Sequence, residues 1–70
     1  MIPVHVTVGV GGWKAHASVT LIACPHVGDK IEVQGKTVVC ESVYITADRV
    51  YVDEIYRFQS EDAAKRYFEE

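Results

Sequence analysis

The stretch from Val4 to Leu21 constrains this chain more than any other. Val4, Val6, Val8 and Val10 alternate with His5, Thr7 and Gly9. After Gly11-Gly12, Trp13, Ala15, Ala17, Val19 and Leu21 alternate with Lys14, His16, Ser18 and Thr20. Strict period-two patterning on both sides of a glycine pair predicts a β-hairpin. A two-residue turn at Gly11-Gly12 sets Val10 opposite Trp13, Val8 opposite Ala15, Val6 opposite Ala17 and Val4 opposite Val19. Every apolar side chain then shares one face. A slip of one residue would mix the two faces, so the pattern itself fixes the register. The apolar face needs a cover, which the remaining residues must provide.

Further along, Ala23 to Gly28 reads as a connection, because Pro25 and Gly28 both interrupt regular structure. A third strand is expected over Asp29 to Gln34, with Ile31 and Val33 inward, followed by a tight turn at Gly35-Lys36. A fourth runs from Thr37 to Ile45. Its start places Val38 and Cys40 inward, opposite Val33 and Ile31, whereas its end needs Val43 and Ile45 inward. The parity changes near Glu41-Ser42, the signature of a bulge or a sharp bend. Ala47-Asp48 forms a third turn, and a fifth strand, Arg49 to Ile55, sets Val50 opposite Ile45 and Val52 opposite Val43. That register puts Tyr44 opposite Tyr51 on the other face.

Ser60 then fits a helix N-cap, with Glu61 and Asp62 in the first turn where the helix dipole favours acids. Ala63, Ala64, Tyr67 and Phe68 form an apolar stripe on a helix expected over about 61–69. So short a helix must dock to persist. The expected core is Val6, Val8, Trp13, Ala17, Val19, Ile31, Val33, Val38, Val43, Ile45, Val50 and Val52, with Phe68 joining from the helix.

These elements make one domain over residues 1–70, mainly β: a five-stranded antiparallel barrel of three hairpins with a bent fourth strand and a short C-terminal α-helix. From Val27-Gly28-Asp29-Lys30-Ile31 to Ile55 the order of turn and bent strand resembles the middle of SH3-like small barrels. The resemblance is topological. It implies a fold that hosts many unrelated functions, so it carries no activity.

Composition narrows the function classes. A net charge of −3 runs against a phosphate-backbone binder. No apolar run approaches the ~20 residues of a membrane span, and Met1-Ile2-Pro3 lacks the basic start of a signal peptide. A cytoplasmic protein is the expectation, with Cys24 and Cys40 reduced, since neither sits in a disulfide or metal framework spacing.

Four candidate sites can be weighed. His5 and His16 become diagonal neighbours on the polar face of the hairpin, and Cys24 and His26 follow, but the spacing matches no zinc pattern, so no metal or cofactor is expected. Cys24 or Cys40 as a nucleophile needs a base and an electropositive pocket, and Cys40 faces inward. Glu41 and Glu54 come out opposed near the bend, where two acids can share a proton. Gly9 to Gly12 fails as a phosphate loop because a strand follows it. No catalytic set emerges.

The fifth feature is the tyrosine pair. Tyr44 and Tyr51, with Asp53 and Ile55 beside them, point away from the core unless the C-terminal helix folds back over them. Paired exposed aromatics with an aliphatic neighbour suit a protein partner. The expected function is a non-enzymatic interaction module: an adaptor, an assembly subunit or a phage-type inhibitory protein. It acts by contact, as a homodimer or in a complex, through Tyr44, Tyr51, Asp53 and Ile55 or through an open edge on strand one. A nucleic-acid-binding barrel is the second reading, disfavoured by charge. A metal- or thiol-dependent enzyme is the third, supported by residue inventory alone.

Overall fold

The structure is a computed structural model, and it describes residues 1–68. Six strands and one helix follow in order: β1 (Ile2–Val10), β2 (Trp13–Leu21), β3 (Lys30–Val33), β4 (Lys36–Val39), β5 (Ser42–Ile45), β6 (Val50–Glu54) and α1 (Glu61–Arg66). β2, β1, β6 and β5 form one four-stranded sheet in that order, and β3 and β4 form a separate two-stranded hairpin.

The first hairpin has the register that its alternation demands, from Val10 opposite Trp13 to Ile2 opposite Leu21. Gly9 has a stricter role than alternation assigns it. Its φ is +138°, and a Cβ there would sit 2.5 Å from the backbone oxygen of Trp13. Only glycine relieves both constraints.

The fourth strand divides at the predicted bend. β4 ends at Val39 and β5 begins at Ser42, with Cys40 and Glu41 between them. The β5–β6 hairpin pairs Ile45 with Val50, Val43 with Val52 and Tyr44 with Tyr51. Its turn is held by Thr46, whose Oγ1 donates to the Arg49 carbonyl at 3.0 Å and accepts from the Arg49 N–H at 3.2 Å.

The β3–β4 turn is displaced from Gly35-Lys36. It is built on Gln34 (φ +50°) and Gly35 (φ +83°), so Ile31 faces Val38 and Val33 faces Lys36. Positive φ at both central residues is the twist that a two-residue hairpin prefers. The displacement shifts the pairing by two residues, which preserves the faces.

The five-stranded antiparallel SH3-like barrel is not what these strands form. The two sheets do not close on one another, and β1 pairs with β6 in parallel, Val4 beside Val50 and Val6 beside Val52. Strand one is therefore interior to its sheet, and the expected open edge on it is withdrawn. The edges of the four-stranded sheet are β2 and β5.

The core lies between the inward face of this sheet, the β3–β4 hairpin and the C-terminal segment. Val4, Val6, Val8, Ala15, Ala17, Val33, Val38, Cys40, Val50, Val52, Phe58, Ala64 and Phe68 are buried there. Of the expected core residues, Val19, Ile31 and Val43 are only half-buried against this cluster, and two more lie outside it. Trp13 is 44 % exposed at the turn, and Ile45 is 65 % exposed at the end of β5, because both lie where the covering layer ends. Ser60 caps α1, its Oγ accepting from the Ala63 N–H at 3.1 Å. The helix packs beside β2 and buries Ala64, leaving Ala63 exposed; it ends at Arg66 with Tyr67 as its C-cap, short of the expected 69, and Phe68 is buried just beyond it. Residue 69 of the expected helix lies outside the described residues.

Candidate functional site

The outward face of the four-stranded sheet carries the tyrosine pair and a row of rings that crosses all four strands. Pairing of β5 with β6 puts Tyr44 beside Tyr51, and the parallel β1–β6 ladder puts Tyr51 beside His5. His16 on β2 stands diagonally across from His5. Ring centroids are 6.0 Å apart for Tyr44–Tyr51, 5.7 Å for Tyr51–His5 in an edge-on arrangement, and 5.5 Å for His5–His16. These separations are those of interacting aromatic pairs. Thr7 Oγ1, 3.3 Å from His16 Nδ1, helps to orient the last ring.

The helix does not cover this row. It packs on β2 from the core side, and Tyr56, Phe58, Tyr67 and Phe68 form their own aromatic cluster there, with centroids 4.8–5.7 Å apart. Tyr44 is left 64 % exposed, Ile55 is 67 % exposed, Asp53 is exposed and Tyr51 is half-buried by its neighbours in the row. The fixed charges on the outward positions of these strands are Lys14 and Asp53, so the face is close to neutral.

Other expected sites disperse. His26 turns to Asp29, whose Oδ2 accepts its backbone N–H at 2.9 Å and lies 3.7 Å from its ring Nδ1. Among the described residues no group of three or more His, Cys, Asp and Glu side chains is placed to hold a metal ion. Cys24 and Cys40 are both free thiols. Cys40 is fully buried, and burial, then the charges of Asp29 and Glu54, pushes its thiol pKa up. A thiol held protonated is a poor nucleophile.

The carboxylates of Glu41 and Glu54 are turned to separate backbone groups. Each carboxylate fastens the neighbouring backbone at the β4–β5 corner: Glu41 Oε2 accepts the Ile55 N–H at 2.9 Å, and Glu54 Oε2 accepts the Val39 N–H at 3.3 Å. The other oxygen of Glu54 is buried without a partner. The Glu54 charge also helps to hold the Tyr67 hydroxyl protonated, after burial as the larger cause.

Sequence reasoning missed His5 and His16 as members of the ring row. Their place on the outward face was legible, but joining them to Tyr51 needs the β1–β6 ladder. No protein-family model matches the chain, and no curated protein or solved structure matches it either. No helix among the described residues is long and apolar enough to cross a membrane.

Proposed function

We propose that this chain is a non-enzymatic interaction module that binds a protein partner, a second copy of itself included, through the outward face of its four-stranded sheet. The supporting observation is the uncovered row Tyr44–Tyr51–His5–His16, flanked by Asp53 and Ile55. Tyrosine presents a large, semi-rigid contact area with a polar tip, and such residues dominate binding energy at interfaces. The reading puts the protein in the cytoplasm, with both thiols reduced. The topological resemblance of Val27 to Ile55 to the middle of SH3-like barrels belongs to this proposal as well, with β4 and β5 as the two halves of one bent strand.

A second reading is nucleic-acid binding, favoured by one feature. Rings in a row across a four-stranded sheet are the platform on which single-stranded bases stack. Opposing it, the face offers one lysine against one aspartate and so has little to hold a phosphate backbone.

The test joins light scattering at micromolar concentration with affinity capture from native cell extract, using the parent and Tyr51→Ala. Self-association or a captured partner that disappears in Tyr51→Ala, with the circular dichroism spectrum retained, supports the proposal. A monomer whose captured partners are the same with and without Tyr51 refutes it. Low-salt anisotropy with single-stranded oligonucleotides decides the second reading.

A further inference from the structure

The free edge of β2 is a second surface, which borders the tyrosine face at Lys14 and His16. Pro3 has no N–H, so the Pro3–Thr20 pair cannot exchange two hydrogen bonds. Bonded and non-bonded pairs alternate along an antiparallel ladder, and Val10–Trp13, which closes the two-residue turn, is of the bonded kind. His5–Ser18, Thr7–His16 and Gly9–Lys14 are therefore non-bonded pairs. The backbone N–H and C=O groups of Lys14, His16, Ser18 and Thr20 point away from β1, toward the open edge.

The edge of β3 follows by the same reasoning. The Cys40 N–H donates to the Asp29 carbonyl at 2.8 Å, so the alternation makes Ile31–Val38 and Val33–Lys36 bonded pairs. The backbone groups of Lys30 and Glu32 then point away from β4. β3 is the strand of its hairpin that lies beside β2, the two approaching within 8 Å between Cα atoms. Among the described residues no backbone hydrogen bond joins them. Two rows of unsatisfied backbone groups thus border one seam.

The seam opens into a groove at each end. One, of about 360 Å³, runs between α1 and the start of β2 and is lined by Lys14, His16, Gln34, Lys65 and Phe68. The other, of about 490 Å³, separates the end of β2 from the start of β3 and is lined by Leu21, Cys24, Asp29, Lys30 and Ile31. Three lysines line the two grooves: Lys65 lies 4.0 Å from the Glu61 carboxylate, whereas Lys14 and Lys30 have no ion pair among the described residues, and the one lining carboxylate, Asp29, already accepts the His26 N–H. On the core side β2 presents Ala15 and Ala17, both buried, and then Val19 and Leu21, half-buried toward its end.

We propose that this seam takes up an extended segment of a protein partner as an added β-strand, with acidic side chains outward and apolar ones inward. Strand addition satisfies the backbone groups of the edge, and the lysines select the charge of the occupant. A full strand between β2 and β3 needs roughly 9.5 Å, twice the usual strand spacing. The β3–β4 hairpin must therefore swing outward by at least about 1.5 Å where its Cα atoms come within 8 Å of β2, about the Ala23–Gly28 connection and the Cys40-Glu41 corner.

The probe is an eight-residue peptide alternating glutamate and valine, with its lysine–valine counterpart as control, followed by amide chemical shifts. The glutamate peptide is expected to move the amides of His16, Ser18, Thr20, Lys30 and Glu32 and to protect them from exchange, and the lysine peptide to do neither. Ser18→Pro removes an outward N–H from a position where an edge strand tolerates proline, and should weaken binding at least tenfold. The double variant K14E/K65E should do the same for the glutamate peptide, and it decides the matter alone if Ser18→Pro fails to fold. The proposal is overturned if neither peptide binds, if both bind equally, or if the shifts fall on His5, Tyr44 and Tyr51. Loss of partner capture in Tyr51→Ala bears only on the tyrosine face, so the two surfaces fail separately.

Discussion

Truncation of Val52 to alanine tests the placement of the core. Val52 is fully buried on β6, the strand that carries Tyr51, and stands between Val6 on β1 and Val43 on β5. The change removes two methyl-sized groups, worth about 1.6 kcal/mol of transfer free energy at roughly 0.8 per group. If the neighbours do not collapse, a residual cavity of roughly 50 Å³ adds about 1.2 kcal/mol at ~24 cal/mol per Å³. The expected loss is about 2–3 kcal/mol. A domain of this length has about 4–10 kcal/mol in total, so a quarter or more of the stability goes. At roughly 4–8 °C per kcal/mol, the melting temperature should fall by about 10–20 °C. Urea melts of the parent, Val52→Ala and Val27→Ala supply the comparison, because Val27 is 69 % exposed and its truncation should cost less than about 0.5 kcal/mol. The reasoning fails if Val52→Ala melts within error of the parent, or if Val27→Ala costs as much.

Three further outcomes are expected. Gly9→Ala should cost more than about 1 kcal/mol in the same urea melts, since it meets both the +138° φ and the Trp13 oxygen; Gly12→Ala, with ordinary φ and open space, should cost less than half as much. Glu54→Ala leaves the Val39 N–H without its acceptor at the β4–β5 corner and should cost about 1–3 kcal/mol, whereas Glu54→Gln keeps an acceptor and should recover part of the loss. Cys40 has a raised pKa in the folded state, so folding holds its proton; the stability this gives is present in full below the unfolded thiol pKa and, on raising the pH through that value, the unfolded chain ionises first and stability falls. Iodoacetamide at pH 8 should accordingly modify Cys24 well before Cys40, and mass spectrometry of peptides reads the order.

Local pattern alone determined much of this protein. The Val4–Leu21 alternation and its glycine pair specify one register, because period two penalises a slip by one residue. The parity break near Glu41-Ser42 marks the corner between β4 and β5, and Ser60 with Glu61 and Asp62 marks the helix start. The face of each tyrosine followed from the same parity. Parity is blind to a shift of two, however, so the turn at Gln34-Gly35 could not be told from one at Gly35-Lys36 until the backbone twist was known.

Tertiary structure decided the rest. The parallel pairing of β1 with β6 joins residues more than forty positions apart, and no hairpin turn between them records it in the sequence. That pairing converts two tyrosines and two histidines into one row, takes β1 out of the sheet edge and leaves β2 in its place. The exposure of Trp13 and Ile45 depends on how far the covering layer reaches, which alternation does not encode. Glu54 ends up with one buried oxygen because the corner brings β4 over β6, a contact made by the fold after each strand has satisfied its own period. Periodicity fixes which side of a strand faces inward; what lies against that side is a choice among non-local contacts, and only the packed chain makes it.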